Sequence, residues 1–147
     1  MTGLLTTDGQ ITGVRVGDEE IEADAVILAC GGFEASAELR DKWMGGDWGK
    51  AKVRGTPMNT GDGLVMGADV GAQSYGLIDG CHATPMDLHM ADFGGLDLPA
   101  VERKNYRKIC YILGDMLNAN GNRFENEGEN FRNYTYAQFG AAIMEQP

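Results

Sequence analysis

Hydrophobic and polar positions alternate along the first part of the chain, and then the alternation stops. Leu4–Thr7 and Ile11–Val16 read as two strands around Asp8-Gly9-Gln10, a hairpin signal because Asp-Gly suits turns that need φ > 0. Gly17-Asp18-Glu19 predicts the next turn, and Ile21 marks a short third strand. The run Ala25-Val26-Ile27-Leu28-Ala29 is apolar at every position. That pattern predicts a strand buried on both faces, as in the middle of a mixed or parallel sheet.

Beyond Cys30-Gly31-Gly32-Phe33 the period changes. Ser36 to Trp43 predicts a helix with Ser36 as its cap and Glu38 near the positive end of the dipole. Gly45-Gly46-Asp47-Trp48-Gly49 ends it. Thr60 is placed to cap a second helix over Leu64, Val65, Met66, Ala68 and Asp69, closed by Gly71, and Ala72–Leu77 reads as a short strand. Residues 80–105 have no clear period and carry Pro85, Gly94-Gly95 and Pro99, which predicts a long loop. Tyr106–Leu113 and Met116–Asn118 read as extended. Asn120-Gly121 predicts a hairpin before Arg123-Phe124, and Thr135–Met144 a final helix with Tyr134, Tyr136, Phe139 and Ile143 as core. The fold class is therefore α+β.

The chain has 147 residues, enough for a core without disulfides or metals. Its 22 glycines are roughly twice the ~7% average share, so tight turns and close backbone approaches are frequent. A net charge of −10 disfavours nucleic acid and anionic membrane surfaces as partners. No apolar run approaches the ~20 residues of a membrane-spanning helix, and no basic-then-apolar leader opens the chain. Cys30, Cys81 and Cys110 have no CxxC spacing, which suggests reduced thiols in a cytoplasmic protein; with only His82 and His89 beside them, no metal site is expected.

The chemistry concentrates at two glycine-rich turns, Gly31-Gly32 after the apolar run and Asn59-Thr60-Gly61-Asp62-Gly63 before a helix. Residues without Cβ let backbone amides approach a phosphate or a flat ring, so a nucleotide-type cofactor is the leading reading. The plain alternative is that glycine merely turns the chain. Nothing in the sequence matches a GxGxxG between strand and helix, the fingerprint of a first dinucleotide-binding βαβ unit. With no return strand after the last helix, the chain reads as an internal piece of a larger protein.

Five motifs occur in order: Ala25–Phe33, Asn59–Gly63, Cys81-His82-Ala83-Thr84-Pro85, Gly121-Asn122-Arg123-Phe124-Glu125-Asn126-Glu127, and Asn130–Tyr136. With them the chain resembles the flavoprotein family of succinate dehydrogenases and fumarate reductases, most of all its soluble branch, which includes tricarballylate dehydrogenase. The resemblance implies that residues 1–79 are part of a FAD-binding domain and that residues 80–147 begin a substrate-capping domain. It implies FAD as cofactor, lined by Cys30, Gly31, Gly32, Phe33, Thr60, Gly61 and Asp62. It also implies that His82 binds a substrate carboxylate and that Arg132 passes a proton to or from the substrate carbon.

Cys30 stands where the family commonly has Thr or Ser, and the family's proton path has only Arg107 as a loose match. Each residue also has a plain reading. Arg132 can be a surface arginine paired with Glu127 or Glu129, His82 a satisfied loop histidine, and Asp62 a helix-cap partner of Thr60. His89 reads as an exposed loop residue, and Glu125, Glu127 and Glu129 as a solvated acidic face. The implied activity is dehydrogenation of a di- or tricarboxylate, or the reverse reduction, with Arg54, Arg107 and Arg132 as local positive charge. The alternatives are a 3-ketosteroid-type flavin dehydrogenase, which would use an apolar pocket and a tyrosine acid, and a cofactor-free binding module. The expected partners are the substrate and the remainder of a parent flavoprotein, with self-association through uncovered apolar surface.

Overall fold

The computed structural model describes residues 1–99, 101 and 110–147. The expected meander is present: β1 (Gly3–Thr7), β2 (Gln10–Val16) and β3 (Glu19–Glu22) form an antiparallel sheet in the order β1-β2-β3. Asp8 and Gly9 both take positive φ, 51° and 77°, the conformation that a two-residue hairpin turn with right-handed strands requires. The register shifts opposite Leu5 and Thr6, where Thr12 is an extra residue that puts a bulge in β2.

The apolar run 25–29 departs from expectation. It joins no strand ladder among the described residues, and Ile27 is 91% exposed. An all-apolar strand is stable when neighbours cover both faces and both edges, and no described segment does so here. Ala72–Leu77 is likewise irregular and exposed rather than a strand.

Helix α1 (Ala37–Met44) begins where predicted, with the Ser36 hydroxyl accepting from Leu39 N at 3.2 Å. Gly45 at φ 73° ends it. The next turn folds back through Trp48–Lys50 and is tied to α1 by Arg40, which is only 7% exposed and whose guanidinium donates to the carbonyls of Glu34, Trp48, Gly49 and Ala51. Helix α2 (Asp62–Asp69) packs beside β1. Its cap is Gly61 in the left-handed region, with no side-chain cap bond, so Thr60 does not cap it as expected.

The stretch after residue 80 is mostly irregular, as its composition implied, with one short 3-10 turn at Asp92–Gly94. Lys52 Nζ donates to the carbonyls of Leu88 and Met90 at 2.8 and 2.7 Å, and so ties this loop to the segment after α1. Cys110–Leu113 does not extend as expected: Tyr111–Leu113 is a 3-10 turn. The rest of the predicted strand, and Arg107, lie outside the described residues. The Asn120-Gly121 turn is as predicted, with Gly121 at φ 77° and Leu117 bridged to Arg123.

Helix α3 (Arg132–Met144) starts three residues earlier than its period suggested. It buries Thr135, Phe139 and Gly140, while Tyr134 and Ile143 are exposed and Tyr136 is half-buried, so of the expected core stripe Phe139 is the fully buried member. Phe139 packs against Tyr111 with ring centroids 4.8 Å apart, and the Tyr111 hydroxyl bonds Thr135 Oγ1 at 2.8 Å.

Candidate functional site

The two glycine turns sit against each other. Gly61 N donates to Gly32 O at 3.0 Å, and Ala35 N donates to Asn59 O at 2.9 Å. Side chains add a third link, from Asn59 Nδ2 to Glu34 Oε1. Glycine is required by this packing itself. A Cβ on Gly61, whose φ is 85°, would strike Leu39 and Phe33, and one on Gly63 would strike Cys30 Sγ. At Gly31, with φ 81°, it would come within 2.5 Å of Asn59 Oδ1. What these glycines admit most closely is therefore the opposite turn.

This close packing leaves donors facing outward. Among the described residues the amides of Gly31, Gly32 and Phe33 make no hydrogen bond, and they lie beside the first turn of α2. The amides of that turn have no intrahelical acceptor, and no side chain caps them. Such a ledge of free amides suits the polar edge of a ring or an anionic group. The Phe33 ring is not part of it: the ring meets Trp43 edge-on at 4.8 Å and anchors the turn to α1. Cys30, Thr60 and Asp62 are exposed on the same pair of turns. Glu34, Asn59 and Arg40 belong to the arrangement too, although Glu34 and Arg40 lie outside the motifs and Asn59, within one, was not expected to line the cofactor. Asn59 is the first residue of the second turn and Glu34 directly follows Phe33, so adjacency was the available signal.

His82 and Arg132 are both placed by α3, His82 against its flank and Arg132 at its first residue. The backbone of Ala83 bonds the helix in both directions, Ala83 N to Ala137 O at 3.0 Å and Gly140 N to Ala83 O at 3.1 Å. That contact is possible because Gly140 has no side chain; a Cβ there would overlap the Ala83 carbonyl. It brings the exposed His82 ring against Tyr136, with centroids 5.1 Å apart at 68°. Tyr136 lies one turn beyond Arg132 along α3.

Arg132 is half-buried at the start of α3, and its Nη2 donates to Asn133 Oδ1 at 3.2 Å. It borders a cleft of about 370 Å³ shared with Ile112, Glu127 and Phe131. The pairing with Glu127 allowed by its plain reading does not occur. Glu127 is 3% exposed, and its carboxylate takes Arg123 Nη2 at 2.5 Å, Arg123 Nε at 2.9 Å and the amide of Met116. Glu127 is thus no part of a solvated face. The Arg123 guanidinium, and then the Met116 amide, hold its carboxyl at about 2, below the ordinary 4.5. Arg54 and His89 are exposed.

Comparison with known proteins gives the family. The model of the FAD-binding-domain family, whose members include the flavoproteins of the succinate dehydrogenase and fumarate reductase type, matches residues 1–147. The chain belongs to that FAD-binding-domain family. FAD is accordingly its cofactor, and the partnerless amides at Gly31–Phe33 and at the start of α2 fit contact with it. The chain is 33% identical over 125 residues to a 4-oxocyclohexanecarboxylate 2-dehydrogenase of Sinomonas cyclohexanicum, an alignment covering 84% of this chain and 21% of that protein. It is 27% identical over 157 residues to a 3-oxosteroid 1-dehydrogenase of Mycolicibacterium smegmatis, covering 100% and 26% respectively. The chain thus spans about a fifth to a quarter of the length of the curated relatives it matches. Neither of these relatives is a tricarballylate dehydrogenase, the branch that the motifs most resembled. No solved structure matches the chain.

Proposed function

We propose that this chain belongs to a cytoplasmic FAD-dependent dehydrogenase that removes two hydrogens from adjacent carbons of a carboxylate-bearing substrate, or adds them back. The observation that carries the reading is the bond from Gly61 N to Gly32 O, which joins the two turns into a single ledge with unpartnered amides. FAD, when bound, takes up the hydride. Cys30, Gly31, Gly32, Phe33, Thr60, Gly61 and Asp62 contact the cofactor, the glycines and Phe33 through their backbone.

His82 and Arg132 hold the substrate carboxylate, and Arg132 handles the proton on the carbon next to the one that loses hydride. A guanidinium stays charged near neutral pH and presents a planar fork that matches a carboxylate. The relative named for 4-oxocyclohexanecarboxylate supports a substrate carrying both a ketone and a carboxylate; di- and tricarboxylates of the succinate and tricarballylate type share the carboxylate.

A second reading takes support from the relative named for 3-oxosteroids: an apolar ketone as substrate, with a tyrosine acid in place of the His82 and Arg132 pair. Tyr136, against His82, is the candidate for that acid.

A substrate panel on the purified flavoprotein carrying these residues separates the two. Tricarballylate, succinate, 4-oxocyclohexanecarboxylate and a 3-oxosteroid are each offered with an artificial electron acceptor. Turnover of a carboxylate that collapses in Arg132→Lys, with substrate binding much less affected, supports the first reading. Turnover of the steroid alone, lost in Tyr136→Phe and untouched in Arg132→Lys, replaces it with the second. A preparation that takes up no flavin overturns both.

A further inference from the structure

We propose that Glu34 and Asn59 are positioning residues of the flavin ledge, a carboxylate–carboxamide latch that fixes the two glycine turns relative to each other. The inference rests on reading those turns as the FAD contact. Its basis is where the two side chains are held.

Glu34 is fixed at both ends. Its main-chain carbonyl receives the buried Arg40 guanidinium, and its carboxylate receives Asn59 Nδ2. Asn59 is fixed at three points: its carbonyl accepts from Ala35 N at 2.9 Å, its Nδ2 donates to Glu34, and its Oδ1 lies across Gly31, 2.5 Å from where a Cβ would stand. The amide plane of Asn59 therefore fills the space above Gly31, and its orientation is set by Glu34 alone among the described side chains.

The second Glu34 oxygen, Oε2, lies 2.9 Å from the position a Cβ on Gly32 would take. The carboxylate is thus parked beside the free amides of the first turn. Tied to Asn59, it leaves them to the cofactor. Released, it is an anion within reach of the donors that FAD would use, and it competes for them. The latch both sets the gap between the turns and keeps an acidic group out of the ledge.

The test exchanges the two partners in the flavin-loaded protein that carries these residues. Glu34→Gln keeps an acceptor opposite Asn59 and leaves FAD affinity near that of the unaltered protein. Asn59→Asp sets carboxylate against carboxylate, and FAD binding weakens by about tenfold or more, the loss of a charge-assisted hydrogen bond. The bound-flavin absorption band shifts toward that of free flavin.

The double variant Glu34→Gln with Asn59→Asp restores a donor–acceptor pair in swapped positions. It recovers both affinity and spectrum, which a merely disruptive substitution would not. Asn59→Ala, which removes the donor without adding a charge, gives an intermediate loss and guards against a misfolded Asn59→Asp. The latch is overturned if Asn59→Asp and Asn59→Ala bind FAD as the unaltered protein does, or if the double variant binds no better than Asn59→Asp alone. An unaltered protein that takes up no FAD overturns the flavin reading of the turns, and the latch with it.

Discussion

The glycine-turn region, residues 30–63, and the C-terminal unit, residues 111–144, solve the same problem by opposite means. Each holds an irregular segment against a helix. In the first the join is made mainly of backbone bonds and missing side chains, beside the Asn59–Glu34 link: Gly61 N to Gly32 O, Ala35 N to Asn59 O, and glycines where any Cβ would collide. In the second it is made of side chains: Arg123 on Glu127, Tyr111 on Thr135, and Phe139 against the Tyr111 ring. A join built largely from absent atoms tolerates few additions. A join built from a charged pair tolerates added bulk better and fails when the charge is lost.

The largest effect is expected at Gly61→Ala. The new methyl would sit at φ 85° and run into Leu39 and Phe33. The left-handed conformation costs roughly 1–2 kcal/mol for a residue with a Cβ, and overpacking typically adds about 1–3 kcal/mol. A fall in unfolding free energy of about 2–4 kcal/mol, read from urea melts, is the expected outcome. A neutral result would mean that the turns are not pressed together, and the contrast between the two regions would be gone.

Glu127→Gln attacks the other region. The folded carboxyl is held at about 2 against an ordinary 4.5, so its charged form is the one stabilised. That stabilisation is complete above about pH 4.5 and drains away as pH falls through the folded value near 2. The unaltered protein should therefore lose stability across that window. Glu127→Gln should be less stable at neutral pH and should lack this group's share of the acid limb. Parallel melts over the pH range decide it: an acid limb of equal depth in both proteins would show that Glu127 does not carry the effect.

Gly140→Ala sharpens the comparison, because it asks whether the second region has one joint built like the first. In the middle of an ordinary helix the change stabilises by roughly 1 kcal/mol. Here the methyl would overlap the Ala83 carbonyl, and a loss of about 1–3 kcal/mol is expected instead. Because the contact also seats His82 on Tyr136, the proposed role of His82 predicts that substrate binding weakens along with stability. A gain in stability would show that the 82–84 segment is not clamped to α3 through Gly140.

What was legible in the sequence divides along the same line. Signals that act within a few residues were read correctly: the Asp8-Gly9 and Asn120-Gly121 turns, the Ser36 cap, and the end of α1 at Gly45. Signals that depend on what lies opposite were not. The run 25–29 has the composition of a doubly buried strand, yet strand formation needs partner edges, and no described segment offers them. Glu127 looks like one of three exposed acids until Arg123 and the Met116 amide are seen to converge on it. Thr60 has the right chemistry for a cap, but the Gly61 left-handed bend displaces it by one position. At the site, the glycines were found for an incomplete reason. The motif marked a close backbone approach, and the nearest approaching group is the other turn, with Asn59 and Glu34 hidden because their partnership spans the gap between two motifs.

Ser36→Ala gives the smallest effect and isolates a local signal from the joins on either side of it. The hydroxyl accepts one bond, from Leu39 N, at a part-buried helix start. Loss of such a cap typically costs about 1 kcal/mol. Because α1 also carries Leu39, which backs the Gly61 turn, and Arg40, which holds the Glu34 carbonyl, fraying its first turn should loosen the ledge slightly. The expected result is a drop in melting temperature of a few degrees, with FAD affinity reduced by less than in Asn59→Asp. If affinity falls as far as in Asn59→Asp while stability barely changes, α1 is setting the turns more directly than the latch does. The weight then moves from the Glu34–Asn59 pair to the helix behind it.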